Sequence, residues 1–555
     1  STWEILEHLM LLTSHSYYLL FVFVLLQFMD IELGKIINNF RLIKQLKYLR
    51  FVMFLLLVGN TSLLFAEVRL PNIFSDNMVL QQGIPVQIWG WANAGETVNV
   101  TFLNQKKSTI TGKNGKWSLF LDELDYGGPF ELVVNGEENT IIYSNVLVGE
   151  VWVSSGQSNM EWSLSLTENA QKEIQQSYYP RVRIFNVRKN AQSVPAENVA
   201  GTWNECEPAY TSGFSAVAYF FGTELYHNLN VPIGLIDASW GGSSIEPWID
   251  INVLRAEDDF KPIIEEWEQC LQEYNSMDSM LQFVKEYVSS VYESNIAKRH
   301  PRANRTEIPT RITLPENRDC FSPPGGMYNG MISPIVPYKI KGVIWYQGES
   351  NVPRDHYQKL FPALIKNWRT QWELGEFPFF FAQLAPFGGN IWKENEAARL
   401  REAQFMTYRN VPNTGMAVTM DIGDVNDIHP RNKKEVGRRL ALWALADTYN
   451  LKEIVKSGPL YKSMSIENNK IRINFDFAEG GLIEQNKGSG DFEIAGEDNV
   501  FVPATCEIKN DHVLISAKTI KKPIAVRYGW GNAAQPGLFN KEGLPASPFR
   551  TNQKN

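Results

Sequence analysis

Between Val68 and about Asn145, apolar and polar residues alternate in short runs broken by turn residues, as in "PVQIWGWA", "ETVNVTFL", "GKWSLFLDEL", "FELVVNG" and "NTIIYSN". A period of two at this spacing predicts half-buried antiparallel strands forming an N-terminal β-sandwich over residues 67–145. From residue 146 the alternation stops. "VLVGEVWV" (146–153), "PIGLIDAS" (232–239), "GVIWYQ" (342–347), "PFFFAQL" (378–384) and "GMAVTMD" (415–421) are nearly continuously apolar, the pattern of parallel strands covered on both faces. Amphipathic segments at helical spacing lie between them, including "SAVAYFFGTELYHNL", "HYQKLFPALIKNWRTQW" and "KKEVGRRLALWALADTY". Strands alternating with helices predict an α/β class, a three-layer α/β/α parallel-sheet domain over residues 146–455. A charged, helix-rich stretch at about 251–319 reads as an insertion beside that core. From residue 456 to 555 the alternation returns, in "SMSIENNKIRINFDF", "DHVLISAK" and "PIAVRYGW", and predicts a second β-sandwich-like region.

Residues 1–66 differ from the rest. A basic segment, "RLIKQLKYLR" (41–50), precedes an apolar one, "FVMFLLLVGNTSLLFA", that ends before Glu67. This is the layout of a secretory signal peptide, with Met29 or Met53 as the start. A membrane anchor is the competing reading, helped by a second apolar run, "YYLLFVFVLLQFM" (17–29), yet both runs fall short of the roughly 18–20 residues that span a bilayer. The expectation is an exported protein, periplasmic, extracellular or surface-associated, without membrane insertion after cleavage. A net charge of −8 with both signs interspersed argues against nucleic acid as a partner. Cys206, Cys270, Cys320 and Cys506 form no CxxC pair, which excludes a zinc ribbon and leaves room for one bridge in an exported chain.

In an open parallel sheet, ligands bind beyond the carboxyl ends of the strands. The loops leaving the first, second, third and fifth strand candidates read "SGQSN", "WGGSSIEPW", "QGESN" and "DIGDVNDIHP". Singly, each is a turn; four on one edge point to a site. Ser158 is the candidate nucleophile. Among His227, His300, His356, His429 and His512, only His429 follows a buried strand among acids, and it is the candidate general base. Pro430 suits the first position of the following helix, which would set His429 at a positive helix end that disfavours the imidazolium. Either Asp427 or Asp424 would orient the ring, and either is also a plausible turn former or cap. Backbone N–H groups of Ser158 and Gly242, with a side-chain amide from Gln347 or Asn351, would hold an oxyanion. No HxH or HExxH pair exists to build a His-based metal site. Asp421, Asp424 and Asp427 have the spacing of a Ca²⁺ site, but an ion there would compete for the acids that orient His429. No metal and no cofactor are expected.

These blocks resemble those of the SGNH hydrolases, and within them the sialate O-acetylesterase group of carbohydrate esterases. Gly156-Gln157-Ser158-Asn159-Met160-Glu161 is similar to the nucleophile block, and Trp240-Gly241-Gly242-Ser243 to the glycine block. Trp345-Tyr346-Gln347-Gly348-Glu349-Ser350-Asn351 is similar to the third block, and Asp427-Ile428-His429-Pro430, with Lys433 and Val436-Gly437, to the last. "LPNIFSDNMVLQQ" and "EGLPASPFRT" extend the resemblance to nearly the whole chain beyond residue 66. It implies a serine esterase that takes acetyl groups from sugar hydroxyls by a Ser-His-Asp acyl-enzyme route, with 9-O-acetylated sialic acid the first expectation and acetylated xylan or another plant glycan the alternative. Gln157, Asn159 and Glu349 are expected substrate contacts. Two departures bear on roles. Ser350 stands where the wider superfamily usually carries Asn, which makes Gln347 the preferred side-chain donor. Asn426 fills the slot, three before the His, where that superfamily places its Asp. A non-catalytic carbohydrate-binding protein is a third reading, against which the complete set of nucleophile, base and acid candidates argues.

Overall fold

The computed structural model describes residues 67–273, 323–352, 356–485 and 492–552. The expected signal segment, and the expected insertion from residue 274 onward, lie outside the described residues. The N-terminal strands are β1 (Val79–Gln81), β2 (Val86–Trp91), β3 (Thr97–Phe102), β4 (Gln105–Ile110), β5 (Lys116–Leu121) and β6 (Gly127–Asn135). Burial alternates along β2, β3 and β5. Val86 and Ile88, Val98 and Val100, and Leu119 and Leu121 therefore face the core, while the residues between them face outward. β2 pairs with β5, and β3 with β4 and β6, all antiparallel.

The next strand, β7 (Thr140–Gly156), runs for 17 residues. Its first part pairs antiparallel with β6 and, from Leu147 to Gly149, in parallel with β1. Its last part lies within the central parallel sheet. The expected boundary at residues 145/146 thus falls inside one strand. Burial along β7 alternates up to Asn145 and becomes continuous from Val146. The compositional change marks the point where the sheet becomes covered on both faces, not a break in the chain's architecture.

Beyond β7 come α1 (Ser158–Glu161), β8 (Tyr179–Asn186), β9 (Trp203–Cys206), α2 (Ala216–Leu229), β10 (Ile233–Ser239), β11 (Gly342–Tyr346), α3 (Tyr357–Trp372), β12 (Phe379–Ala382), α4 (Glu396–Asn410), β13 (Thr414–Ala417) and α5 (Lys433–Trp443). The central order is β13-β12-β11-β7-β10-β8-β9. All neighbours are parallel except β9, which is antiparallel to β8. Val151, Val153, Val343, Trp345, Phe379 and Phe381 point to one face, against Phe361 and Trp368 of α3 and Leu400 of α4. Trp152, Ile344, Tyr346 and Phe380 point to the other, against Phe221 of α2 and Leu440 of α5. The strands β8 and β9 were not expected. Arg183 interrupts the apolar run of β8, yet it is buried because Pro180 O, Asn77 Oδ1 and Asn145 Oδ1 accept its N–H groups.

After α5 the chain forms two four-stranded sheets. One has the order Leu460–Glu467, Lys470–Asp476, His512–Ser516, Thr505–Lys509; the other has Phe501–Pro503, Phe492–Ala495, Ala525–Tyr528, Phe549–Arg550. Ile471, Ile473, Val513 and Ile515 of the first share a cluster with Ile494, Val526, Tyr528 and Phe549 of the second. Buried Arg401 of α4 ties this region to the site's edge. It donates to Leu384 O and Ala385 O, just after β12, and to Gly531 O and Asn532 O. Cys270 is disulfide-bonded, whereas Cys206 is a buried thiol. Among the described residues no helix is long and apolar enough to cross a membrane.

Candidate active site

The first loop is built by close approach. Gly156 closes β7 with φ 138°, and a Cβ there would lie 2.2 Å from Tyr346 O of β11, so only glycine fits. Gln157 O then accepts from Met160 N and Glu161 N, both at 2.9 Å, which starts α1 with Ser158 as its first residue. Ser158 is half-buried. The Gln157 side chain, expected at the substrate, turns inward: it is buried and its Oε1 accepts from Gly348 N at 3.1 Å and Ser350 N at 3.3 Å. It clamps the third loop to the first.

His429 Nε2 stands 2.8 Å from Ser158 Oγ. The imidazole lies on the indole of Trp162, with centroids 4.8 Å apart and planes at 19°, a packing that sets the ring's tilt. The helix start differs from expectation. α5 begins at Lys433, because Asn432 is the cap and its Oδ1 accepts from Glu435 N at 3.2 Å. His429 therefore precedes the helix instead of sitting at its first turn. Its pKa is still lowered, by burial first and then by the charge of Lys433, with Asp427 acting in the opposite sense.

The three acids have different partners. Asp427 Oδ1 is 3.9 Å from His429 Nδ1, beyond hydrogen-bond reach, and accepts instead from His429 N at 2.9 Å. Asp424 Oδ1 accepts from Asn426 N at 2.9 Å, an Asx turn, and its backbone bridges that of Asp427. Asp421 is held by Arg439 through two contacts of 2.6 and 2.7 Å. Among the described residues no group of three or more His, Cys, Asp or Glu side chains converges in a way that could hold a metal ion.

The glycine loop presents Gly242 at φ 80°, a conformation that glycine adopts without strain. Neither the Ser158 N–H nor the Gly242 N–H is engaged by another group among the described residues. Gly241 N, by contrast, donates to Glu161 Oε2 at 2.5 Å, and Lys189 pairs with the other oxygen of Glu161 at 2.5 Å. The two amides expected as oxyanion donors are spoken for. Gln347 Nε2 donates to Asn351 Oδ1 at 2.6 Å and Ser243 O at 3.3 Å. Asn351 Nδ2 donates to both Glu246 oxygens at 3.1 and 3.2 Å, while Asn351 Oδ1 also accepts from Ile245 N at 2.9 Å. Both amides are fully buried and tie the third loop to the glycine loop. They have no N–H to offer a substrate.

Asn159 and Glu349, also expected at the substrate, are buried and bonded to each other at 2.5 Å. The residues that reasoning from sequence passed over are Trp162, Glu161 and Lys433. Glu161 and Lys433 lay in plain view within the nucleophile and last blocks, and Lys433 stands four positions after His429. A lysine there reads as a solvated helix residue, and nothing local reports that it is buried.

Most of the chain resembles known proteins. Residues 148–286 and 317–446 match the family model described as carbohydrate esterase, sialic acid-specific acetylesterase. The sialate O-acetylesterase of Mus musculus is 30% identical over 543 residues, which cover 86% of this chain and 93% of that protein. That of Homo sapiens is 29% identical over 529 residues, covering 87% and 92%. A carbohydrate acetylesterase from Xanthomonas citri, solved by crystallography, superposes with a TM-score of 0.74 at 32% identity over 88% of this chain and all of that one. A match of this identity over most of both chains leaves one conclusion: the chain belongs to the sialate O-acetylesterase family, carbohydrate esterases that remove O-acetyl groups from sugars.

Proposed function

We propose that Ser158 and His429 carry out the deacetylation through an acetyl-enzyme. The observation that carries this reading is the 2.8 Å contact between Ser158 Oγ and His429 Nε2, two groups 271 positions apart that the sheet brings to one edge. Nε2 accepts the hydroxyl proton as Oγ attacks the acetyl carbonyl. The oxyanion forms beside the Ser158 and Gly242 N–H groups. Collapse expels the sugar oxygen, which takes the proton from Nε2, and water then releases acetate with His429 again as base. Asp427 acts on the imidazolium as a nearby charge, and Asp424 shapes the loop.

The preferred substrate is 9-O-acetylated sialic acid, supported by the relatives named sialate O-acetylesterase. The Xanthomonas citri protein, named more broadly as a carbohydrate acetylesterase, keeps acetylated xylan or another plant glycan as the second reading. The N-terminal basic and apolar segments, together with the disulfide at Cys270, support export to an oxidising compartment. Ser158→Ala is expected to lower acetyl release by ~10⁴-fold or more while leaving the melting temperature unchanged. An active, normally folded Ser158→Ala enzyme would refute the assignment. Release of acetate from acetylated sialic acid compared with acetylated xylan decides the substrate.

A further inference from the structure

Lys433, Asn159 and Glu349 form a buried chain that the proposed reaction leaves unused. Lys433 Nζ donates to Asn159 Oδ1 at 2.5 Å, and Asn159 Nδ2 donates to Glu349 Oε1 at 2.5 Å and to Ile428 O at 3.0 Å. The amide can sit only one way round. An ammonium has no lone pair to offer and needs Oδ1, while the carboxylate and the carbonyl need N–H. Asn159 follows the nucleophile, Glu349 lies in the third loop, Ile428 precedes the base, and Lys433 opens α5. One side chain therefore joins the loops that must keep register for catalysis.

The free faces of Lys433 lie against the rings of Tyr346 and Trp162, at 5.5 and 5.7 Å, and Trp162 in turn stacks on His429. Burial pushes the Lys433 pKa down to about 7, with Glu349 and Asp427 acting the other way. Burial likewise raises that of Glu349. Two buried ionisable groups are costly, and well-packed apolar residues of similar volume are often equally stabilising. Fold stability alone gives no reason to keep them.

We infer that Lys433 is a positioning residue: through Asn159 it locks the nucleophile turn to the loop carrying His429, and it holds a positive charge beside the imidazole. The inference rests on the Ser158–His429 reading. The groups facing His429 are Ser158, the Trp162 ring, Asp427 and Lys433, and of the two charges only Lys433 opposes protonation of the ring. The test compares Lys433→Met, Glu349→Gln, the double variant and Ser158→Ala, using a chromogenic acetate ester and thermal melts. Lys433→Met is expected to lower kcat on the order of 10–100-fold with little change in KM, as a displaced attack geometry does. The acid limb of its kcat/KM profile should move to higher pH, because the imidazolium is no longer opposed. The double variant should recover melting temperature, since Glu349→Gln removes the unpaired buried charge, yet recover neither kcat nor the acid limb. If Lys433→Met does not fold, the double variant carries the kinetic comparison. A double variant with wild-type kcat, or an unmoved kcat and acid limb, shows a structural role only and overturns the inference. Activity in Ser158→Ala overturns the Ser–His reading and the inference with it, whereas an inactive Ser158→Ala beside a wild-type-like Lys433→Met removes the inference alone.

Discussion

Asp424 and Asp427 face each other across a short backbone bridge, and their carboxylates have different partners. Asp427 stands 3.9 Å from Nδ1 with its carboxylate half exposed, so it influences the ring through space and under solvent screening. Asp427→Asn is expected to reduce kcat/KM by about tenfold, far less than loss of the serine. Asp424→Asn is expected to stay within about twofold of wild type, because an Asn oxygen accepts from the Asn426 N–H equally well. Kinetics of the two variants on one acetyl ester check both values, and a loss of orders of magnitude in Asp424→Asn would reverse the assignment. The meeting of Ser158 and His429 was legible because four polar loops leave the same edge of the sheet and, of the histidines beyond residue 66, only His429 follows a buried strand among acids. Gln347 and Asn351 were not. Whether a side-chain amide offers its N–H to a substrate depends on acceptors such as Glu246 and Ser243 O, more than a hundred positions away. Residue type alone carries no trace of that commitment.

At the scale of elements, periodicity read the strands it should read. β10 spans Ile233–Ser239 against an expected 232–239, and β11 spans Gly342–Tyr346 against 342–347. Continuous apolar runs were legible because both faces are covered, and β8 was missed because a buried arginine, satisfied by the nearby Pro180 carbonyl and two distant amide oxygens, breaks the pattern. The start of α5 was misplaced for a similar reason. Pro430 and Asn432 both suit helix starts, and the Asn432 cap prevails. The turn between β7 and α1 depends on a single residue. Gly156→Ala is expected to prevent soluble folding or to lower the melting temperature sharply, since its Cβ would meet Tyr346 O at 2.2 Å and backbone cannot yield as a side chain can. Recovery of Gly156→Ala with wild-type melting would show that the strands can separate.

Stability belongs to the molecule as a whole, and its pH dependence has one identifiable source in the central sheet. Asp237, near the end of β10, is buried, and Ser154 Oγ at 3.0 Å and Ser239 Oγ at 2.9 Å donate to it. Burial, partly offset by these donors, raises its pKa from 3.8 to about 7. Between those values the folded chain keeps a proton that the unfolded chain has released. This contribution is therefore full below the unfolded value and is lost as pH rises to about 7. Asp237→Asn removes the titration, and its melting temperature relative to wild type is expected to climb between pH 5 and pH 8. A difference that stays flat across that range would show that the carboxyl is ionised throughout.

The course of β7 sets a limit on how this protein can be divided. One uninterrupted backbone belongs to the amino-terminal strands at one end and delivers the turn that carries Ser158 at the other. A recombinant fragment beginning at residue 146, where the composition changes, would forfeit the β6 partner, and beginning anywhere after β1 would strip Leu147–Gly149 of its neighbour as well. No hinge can form where a single strand is the joint. The amino-terminal strands are thus not an appendage to be trimmed or exchanged: they are the rear anchorage of the rod on whose tip Ser158 is mounted.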